Sequence, residues 1–163
     1  MSVLLLLDTS GSMYGEKIKL MQQAATDLLS GLKNILPDLP VGIITFGDTP
    51  TLQPFAPVGE IVHAEYEAGG KSAFHEALTF VESIKPDSVI LISDGICDGI
   101  PIEKIEESAA KYAISIGYDA DLDMLARFAG SRERLFSAYD AGRMAGFLAQ
   151  TLLANNVINE RGE

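Results

Sequence analysis

Unbroken apolar runs alternate along the chain with stretches whose apolar residues recur every three or four positions. Val3-Leu4-Leu5-Leu6-Leu7 comes first and stops abruptly at Asp8-Thr9-Ser10-Gly11-Ser12. A run without polar alternation leaves no face for water, which predicts a strand buried on both sides. From Glu16, residues Ile18, Met21, Ala25, Leu28, Leu32 and Ile35 mark one face of a long helix, which Pro37 and Pro40 stop. Val41–Phe46 reads as the second strand and ends in Gly47-Asp48. Prolines and weak alternation between Thr49 and Glu67 predict a short edge strand near Thr51–Phe55, where a missing N–H is tolerated. Gly69-Gly70 is a turn. Ser72 is placed to cap a helix running to about Ile84, with Phe74, Ala77, Leu78 and Val81 inward.

Val89–Ser93 is the next buried strand, closed by Asp94-Gly95, and Pro101 opens a short helix with Ile102, Ile105 and Ala109 inward. Tyr112–Ile116 is strand-like. Asp121 caps a helix through Leu122, Leu125 and Phe128 that ends at Gly130. Leu135-Phe136 is a minimal last strand, and Asp140 caps a final helix carrying Met144, Phe147, Leu148, Thr151 and Leu152. After Asn155 the chain turns polar. Strands alternating with helices of this length imply right-handed crossovers and a mostly parallel, doubly wound sheet, so the expected fold is a three-layer α/β/α domain. Val3–Leu7 should lie at its centre. The domain is expected over residues 1–155, with a polar tail at 156–163.

A chain of 163 residues can bury a core of ordinary size, and 47% apolar content excludes a disordered chain. Twelve basic residues against 23 acidic ones give a net charge of −11. That balance argues against binding nucleic acid or an anionic membrane surface; it favours cations and basic partner surfaces, and equally fits a charge that only keeps the protein soluble. The single Cys97 forms no internal disulfide, which suits a reducing compartment. No run resembles a signal segment or reaches the roughly 20 apolar residues of a membrane span, so the expected location is the cytoplasm.

The chemistry concentrates where the strands end. Asp8, Ser10 and Ser12 occupy alternate residues of one turn at the carboxyl edge of the sheet, where open α/β sheets bind ligands. All three offer hard oxygen donors of the kind Mg²⁺, Mn²⁺ or Ca²⁺ prefers. Ser72 follows a Gly-Gly turn at a helix start, and Asp94 ends its strand as Asp8 ends the first. If those strands are neighbours, the two carboxylates lie roughly one strand spacing, about 5 Å, apart and repel unless a cation sits between them. Asp8, Ser10, Ser12, Ser72 and Asp94 together can supply an octahedral Mg²⁺, with waters filling the remainder.

Asp8-Thr9-Ser10-Gly11-Ser12 resembles the D-x-S-x-S motif of von Willebrand factor A-type domains, the metal-ion-dependent adhesion site. Gly69-Gly70-Lys71-Ser72 is similar to that family's Gly-Gly-x-Thr loop, and Leu91-Ile92-Ser93-Asp94-Gly95 to its later strand ending in Ser-Asp-Gly. The resemblance covers nearly the whole chain and implies a Rossmann-like fold: a mostly parallel six-stranded sheet with one short antiparallel edge strand. It implies that Ser10 and Ser12 bind the metal directly, that Asp8 and Asp94 hold it directly or through waters, and that Ser72 changes its distance with state. The open coordination position would take an Asp or Glu side chain of a partner protein. Serine in place of threonine at 72 keeps the oxygen and drops a methyl that stiffens the rotamer. Intracellular prokaryotic-type single-domain relatives suggest, by analogy, an AAA+ ATPase or a stress-response assembly as partner. The resemblance further implies that the last helix, Asp140–Asn155, moves when a ligand carboxylate reaches the metal.

Duller readings fit the other conspicuous residues. Gly70-Lys71-Ser72 matches the end of a phosphate-binding loop, but that motif needs glycine at position 65, where the chain has Glu65. A phosphoryl-accepting Asp8, as in haloacid-dehalogenase-like hydrolases, would need a second aspartate where Ser10 stands. His63 and His75 lack zinc spacing, and Cys97 reads as a plain loop thiol. Asp119, Asp121 and Asp123 alternate like calcium ligands without the rest of an EF-hand, so capping by Asp121 explains them better. Lys71 reads as solvated, and Glu103, Glu106 and Glu107 as a solvated helix face. The competing class is a Mg²⁺-dependent phosphoryl or ester hydrolase on the same sheet, which needs a base or nucleophile beside the metal. The preferred class is a metal-dependent protein-binding module without enzyme activity.

Overall fold

Every residue of β1 (Val3–Asp8) is buried, because parallel neighbours flank it on both sides. These are β2 (Pro40–Phe46) and β4 (Ser88–Ser93). The computed structural model describes residues 1–61, 65–96 and 110–160, with side chains as far as 154. Beyond β4 lie β5 (Ala110–Ser115) and β6 (Leu135–Ser137), both parallel. Beyond β2, β3 (Pro50–Pro57) pairs antiparallel and closes the edge, giving the order β3-β2-β1-β4-β5-β6. The prolines of β3 sit where sequence alone places an edge strand, which leaves one side of its backbone unpaired. It runs several residues longer than expected.

Side chains alternate along a strand, so β1 feeds two cores at once. Val3, Leu5 and Leu7 join Ile90, Ile92, Tyr112 and Ile114 under α1 (Glu16–Ile35) and α4 (Ala141–Glu160). Leu4 and Leu6 join Val89, Leu91 and Ala113 under α2 (Phe74–Ile84) and α3 (Leu122–Ala129). The three-layer, doubly wound arrangement is therefore the observed one.

Some details depart from the pattern. Ile35, placed on the buried face of α1, is 46% exposed. Ala24 and Leu29 are buried in addition to the expected residues of that face. Phe147 is half exposed, but its ring borders Phe136 and Tyr112 at 6.2 and 6.3 Å. In α4 it is Ala141, Ala145 and Ala149, beside Met144, Leu148 and Leu152, that pack inward. α2 begins at Phe74, and the residue preceding it is Ala73, which makes no side-chain cap. Ala73 donates its N–H to the Gly47 carbonyl at 2.9 Å, and that bond docks the segment on the end of β2 and starts the helix later. Asp121 does cap α3, accepting from the Met124 N–H at 3.1 Å. α4 extends past Asn155 to Glu160. The helix expected at Pro101, Cys97, His63 and the glutamates at 103, 106 and 107 lie outside the described residues. Among those described, no helix is long and apolar enough to cross a membrane.

Candidate metal centre

Parallel pairing aligns the carboxyl ends of β1 and β4, with Leu7 opposite Ile92. Continuing that register puts Asp8 level with Ser93 and Asp94 one residue further on. The carboxylates are thus staggered, and Ser93 stands between them as a residue the sequence reading missed. Its hydroxyl donates to Asp8 Oδ2 at 2.6 Å and accepts the Gly95 N–H at 2.9 Å. Asp8 Oδ1 accepts both the Ser10 N–H, at 2.9 Å, and the Ser10 hydroxyl, at 2.6 Å. Ser10 and Ser12 hydroxyl oxygens lie 3.3 Å apart. Asp8, Ser10 and Ser12 therefore form one connected group. A serine that spends its proton on a carboxylate turns its lone pairs outward and becomes a better cation ligand.

The third segment is tied to the first by main-chain bonds. The Gly11 N–H donates to the Gly70 carbonyl and the Gly69 N–H to the Thr9 carbonyl, both at 2.9 Å. Asp48, at the end of β2, accepts the Lys71 N–H at 3.0 Å. Gly70 is required here: its φ is +78°, and a Cβ would fall on the Asp48 carboxylate. These bonds bring the half-buried Ser72 segment to the end of β1, while the Lys71 side chain faces solvent.

Asp8 and Asp94 are both 0% exposed. Burial raises the Asp8 carboxyl above its ordinary range, against the lowering effect of the Ser10 and Ser93 hydrogen bonds, and the Asp94 charge adds to the rise. Asp94 Oδ1 accepts the Ile96 N–H at 3.0 Å, and its Oδ2 accepts from the Lys17 ammonium at 3.2 Å. Lys17 also pairs with Asp119 at 2.9 Å. Lys17 carries no signal in the sequence pattern, whereas Lys71 is solvated as expected. Partial burial lowers the Lys17 ammonium, but its bonds to Asp119 and Asp94 outweigh that and hold it above ordinary lysine. Asp123 pairs instead with Arg132 at 2.6 Å, so the Asp119–Asp123 alternation serves two ion pairs and a helix cap.

Among the described residues, two buried carboxylates face one ammonium at this edge, which leaves them short of positive charge. Among the described residues no three His, Cys, Asp or Glu side chains gather as a metal site. A cation here would rest on two carboxylates and on hydroxyls, a donor set that fits hard ions such as Mg²⁺ and Mn²⁺ and not soft ones.

Comparison with solved structures places this arrangement on a known fold. The chain is similar to manganese-loaded Plasmodium vivax TRAP protein at 18% identity, with a TM-score of 0.69, covering 88% of this chain and 71% of that one. It is similar to an aerotolerance-related membrane protein from Bacteroides fragilis at 13% identity, with a TM-score of 0.68, covering 93% and 99%. Proximal thread matrix protein 1 from the mussel byssus, with a zinc-occupied MIDAS motif, matches at 18% identity and a TM-score of 0.67, covering 91% and 45%. The chain thus spans under half the length of the mussel protein. No curated protein sequence matches it. The family model for the von Willebrand factor type A domain matches residues 3–96, more than half of the sequence. The chain therefore belongs to the von Willebrand factor type A domain family.

Proposed function

We propose that Asp8, Ser10, Ser12, Ser72 and Asp94 hold a divalent cation, Mg²⁺ by preference with Mn²⁺ or Ca²⁺ as substitutes, and that this ion captures an acidic side chain of a partner protein. One observation carries the reading: two fully buried carboxylates, one of them raised by burial, share a sheet edge with serine hydroxyls and, among the described residues, a single ammonium. Ser10 and Ser12 would bind the ion through their hydroxyl oxygens, and Asp8 and Asp94 would balance its charge. When bound, the ion supplies a positive centre with an exchangeable position for a carboxylate. Two of the similar structures carry manganese and a zinc-occupied site, which supports a divalent metal here as well. Family resemblance and the lone cysteine support an intracellular setting, with an AAA+ ATPase or a stress-response assembly as the partner.

The competing hydrolase needs a base near the metal. Among the described residues, Lys17 is the basic side chain that reaches this edge, and its bonds to two carboxylates hold it protonated, which suits charge balance and not proton abstraction. The test is calorimetric titration of Mg²⁺ and Mn²⁺ into wild type and Asp8→Ala, paired with a pull-down in Mg²⁺ or in EDTA. Binding by wild type alone, with partner recovery lost in EDTA, is the expected result. Partner recovery indifferent to EDTA, or Mg²⁺-dependent phosphatase turnover abolished by Asp8→Ala, would overturn it.

A further inference from the structure

We infer that Lys17 is a tethered cation that occupies Asp94 while the metal is absent and withdraws to Asp119 when the metal binds, so that it sets the affinity of the site. The inference rests on the metal-binding reading above and deepens it.

Lys17 lies in the first turn of α1, 77 residues from Asp94 in sequence, yet its ammonium is 3.2 Å from the buried Oδ2. Its second partner, Asp119, is a surface carboxylate 44% exposed. The ammonium therefore bridges one partner inside the site and one outside it. The path between them is built for this side chain. Gly117 has φ +87°, and a Cβ there would come within 3.0 Å of both Lys17 Cε and Asp119 Oδ1. Lys17 also lines an open cavity of about 600 Å³ with Gly117, Tyr118, Ala138 and Tyr139, which gives it room to leave Asp94 without disturbing the core.

Charge decides the rest. Without a metal, Lys17 offsets one of two buried carboxylates. A dication at the same edge offsets both and repels an ammonium held at contact distance, and Asp119 offers that ammonium a partner already in reach. Metal binding then includes breaking the Lys17–Asp94 pair. Removing Lys17 should tighten metal binding, and removing the Asp119 charge should weaken it by leaving Lys17 with Asp94 alone. A purely structural lysine would give the opposite first result, since losing it would disorder Asp94.

Calorimetric titration with Mn²⁺ as the probe tests this on wild type, Lys17→Met, Lys17→Arg, Asp119→Asn and the Lys17→Met/Asp119→Asn double variant. Lys17→Met is expected to bind at least about tenfold more tightly, the scale of one charge beside a buried carboxylate. Lys17→Arg should stay near wild type and Asp119→Asn should bind more weakly. The effect of Asp119→Asn should vanish when Lys17 is methionine. Equal or weaker Mn²⁺ binding by Lys17→Met overturns the inference, as does an Asp119→Asn effect that persists without Lys17. Should Lys17→Met fail to fold, Asp119→Asn decides alone: weaker binding supports the exchange and unchanged or tighter binding overturns it. Wild type and Asp8→Ala that both fail to bind would sink the metal reading itself and take this inference with it. A wild type that binds beside an unaffected Lys17→Met would sink the inference only.

Discussion

A carboxylate removed from water must be held by donors or by a cation, and Asp8 accepts three hydrogen bonds, from the Ser10 N–H, the Ser10 hydroxyl and the Ser93 hydroxyl. Ser93→Ala removes one of those donors and leaves the Gly95 N–H without its acceptor. It is expected to cost about 1–3 kcal/mol in urea unfolding. Mn²⁺ affinity should fall about 10–100-fold, the usual effect of losing a group that orients a ligand. A variant that unfolds and titrates like wild type would reduce Ser93 to passive packing. That Asp8, Ser10, Ser12 and Asp94 meet at one sheet edge was legible in the sequence, because each belongs to a strand end marked by a sudden loss of apolar residues. Ser93 and Lys17 were not. Their roles depend on contacts across 85 and 77 residues, set by strand register and by the reach of a long side chain, and neither leaves a trace in local spacing.

Among elements, β1 announced itself: an apolar run with no solvated face fits only a central strand, and both of its neighbours are parallel strands. The loop at residues 69–73 was harder. Its main-chain bonds Gly11–Gly70, Gly69–Thr9 and Ala73–Gly47 hold that segment against two strand ends, and α2 begins at Phe74. Those bonds make the loop's position depend on Gly70. Gly70→Ala combines a left-handed φ with a Cβ on the Asp48 carboxylate, and it should cost about 1–3 kcal/mol. It should also weaken Mn²⁺ binding by moving Ser72 away from β1. Asp48→Asn keeps an oxygen for the Lys71 N–H and should do much less. Unfolding curves and Mn²⁺ titrations of the two variants check the pair. Equal effects would mean that loop position matters little to the site.

For the whole molecule, a net charge of −11 with two carboxylates buried at one edge is an electrostatic load that the proposed dication would relieve. Ligand linkage then fixes the size of the gain. At a free metal concentration 100 times Kd the folded state is stabilised by about 2.7 kcal/mol. For a chain of this length that is a rise of about 5–10 °C in melting temperature. Wild type should show this rise with Mn²⁺ and lose it in EDTA, and Asp8→Ala should show neither change. A shift of equal size in both proteins would point to nonspecific screening of the acidic surface. The most direct measurement is anomalous diffraction from crystals grown with Mn²⁺. A single manganese peak at the carboxyl edge of β1 and β4, in contact with the Ser10 and Ser12 hydroxyl oxygens, is the expected result. Manganese bound elsewhere on the molecule, with these five side chains turned away from a common point, would contradict it.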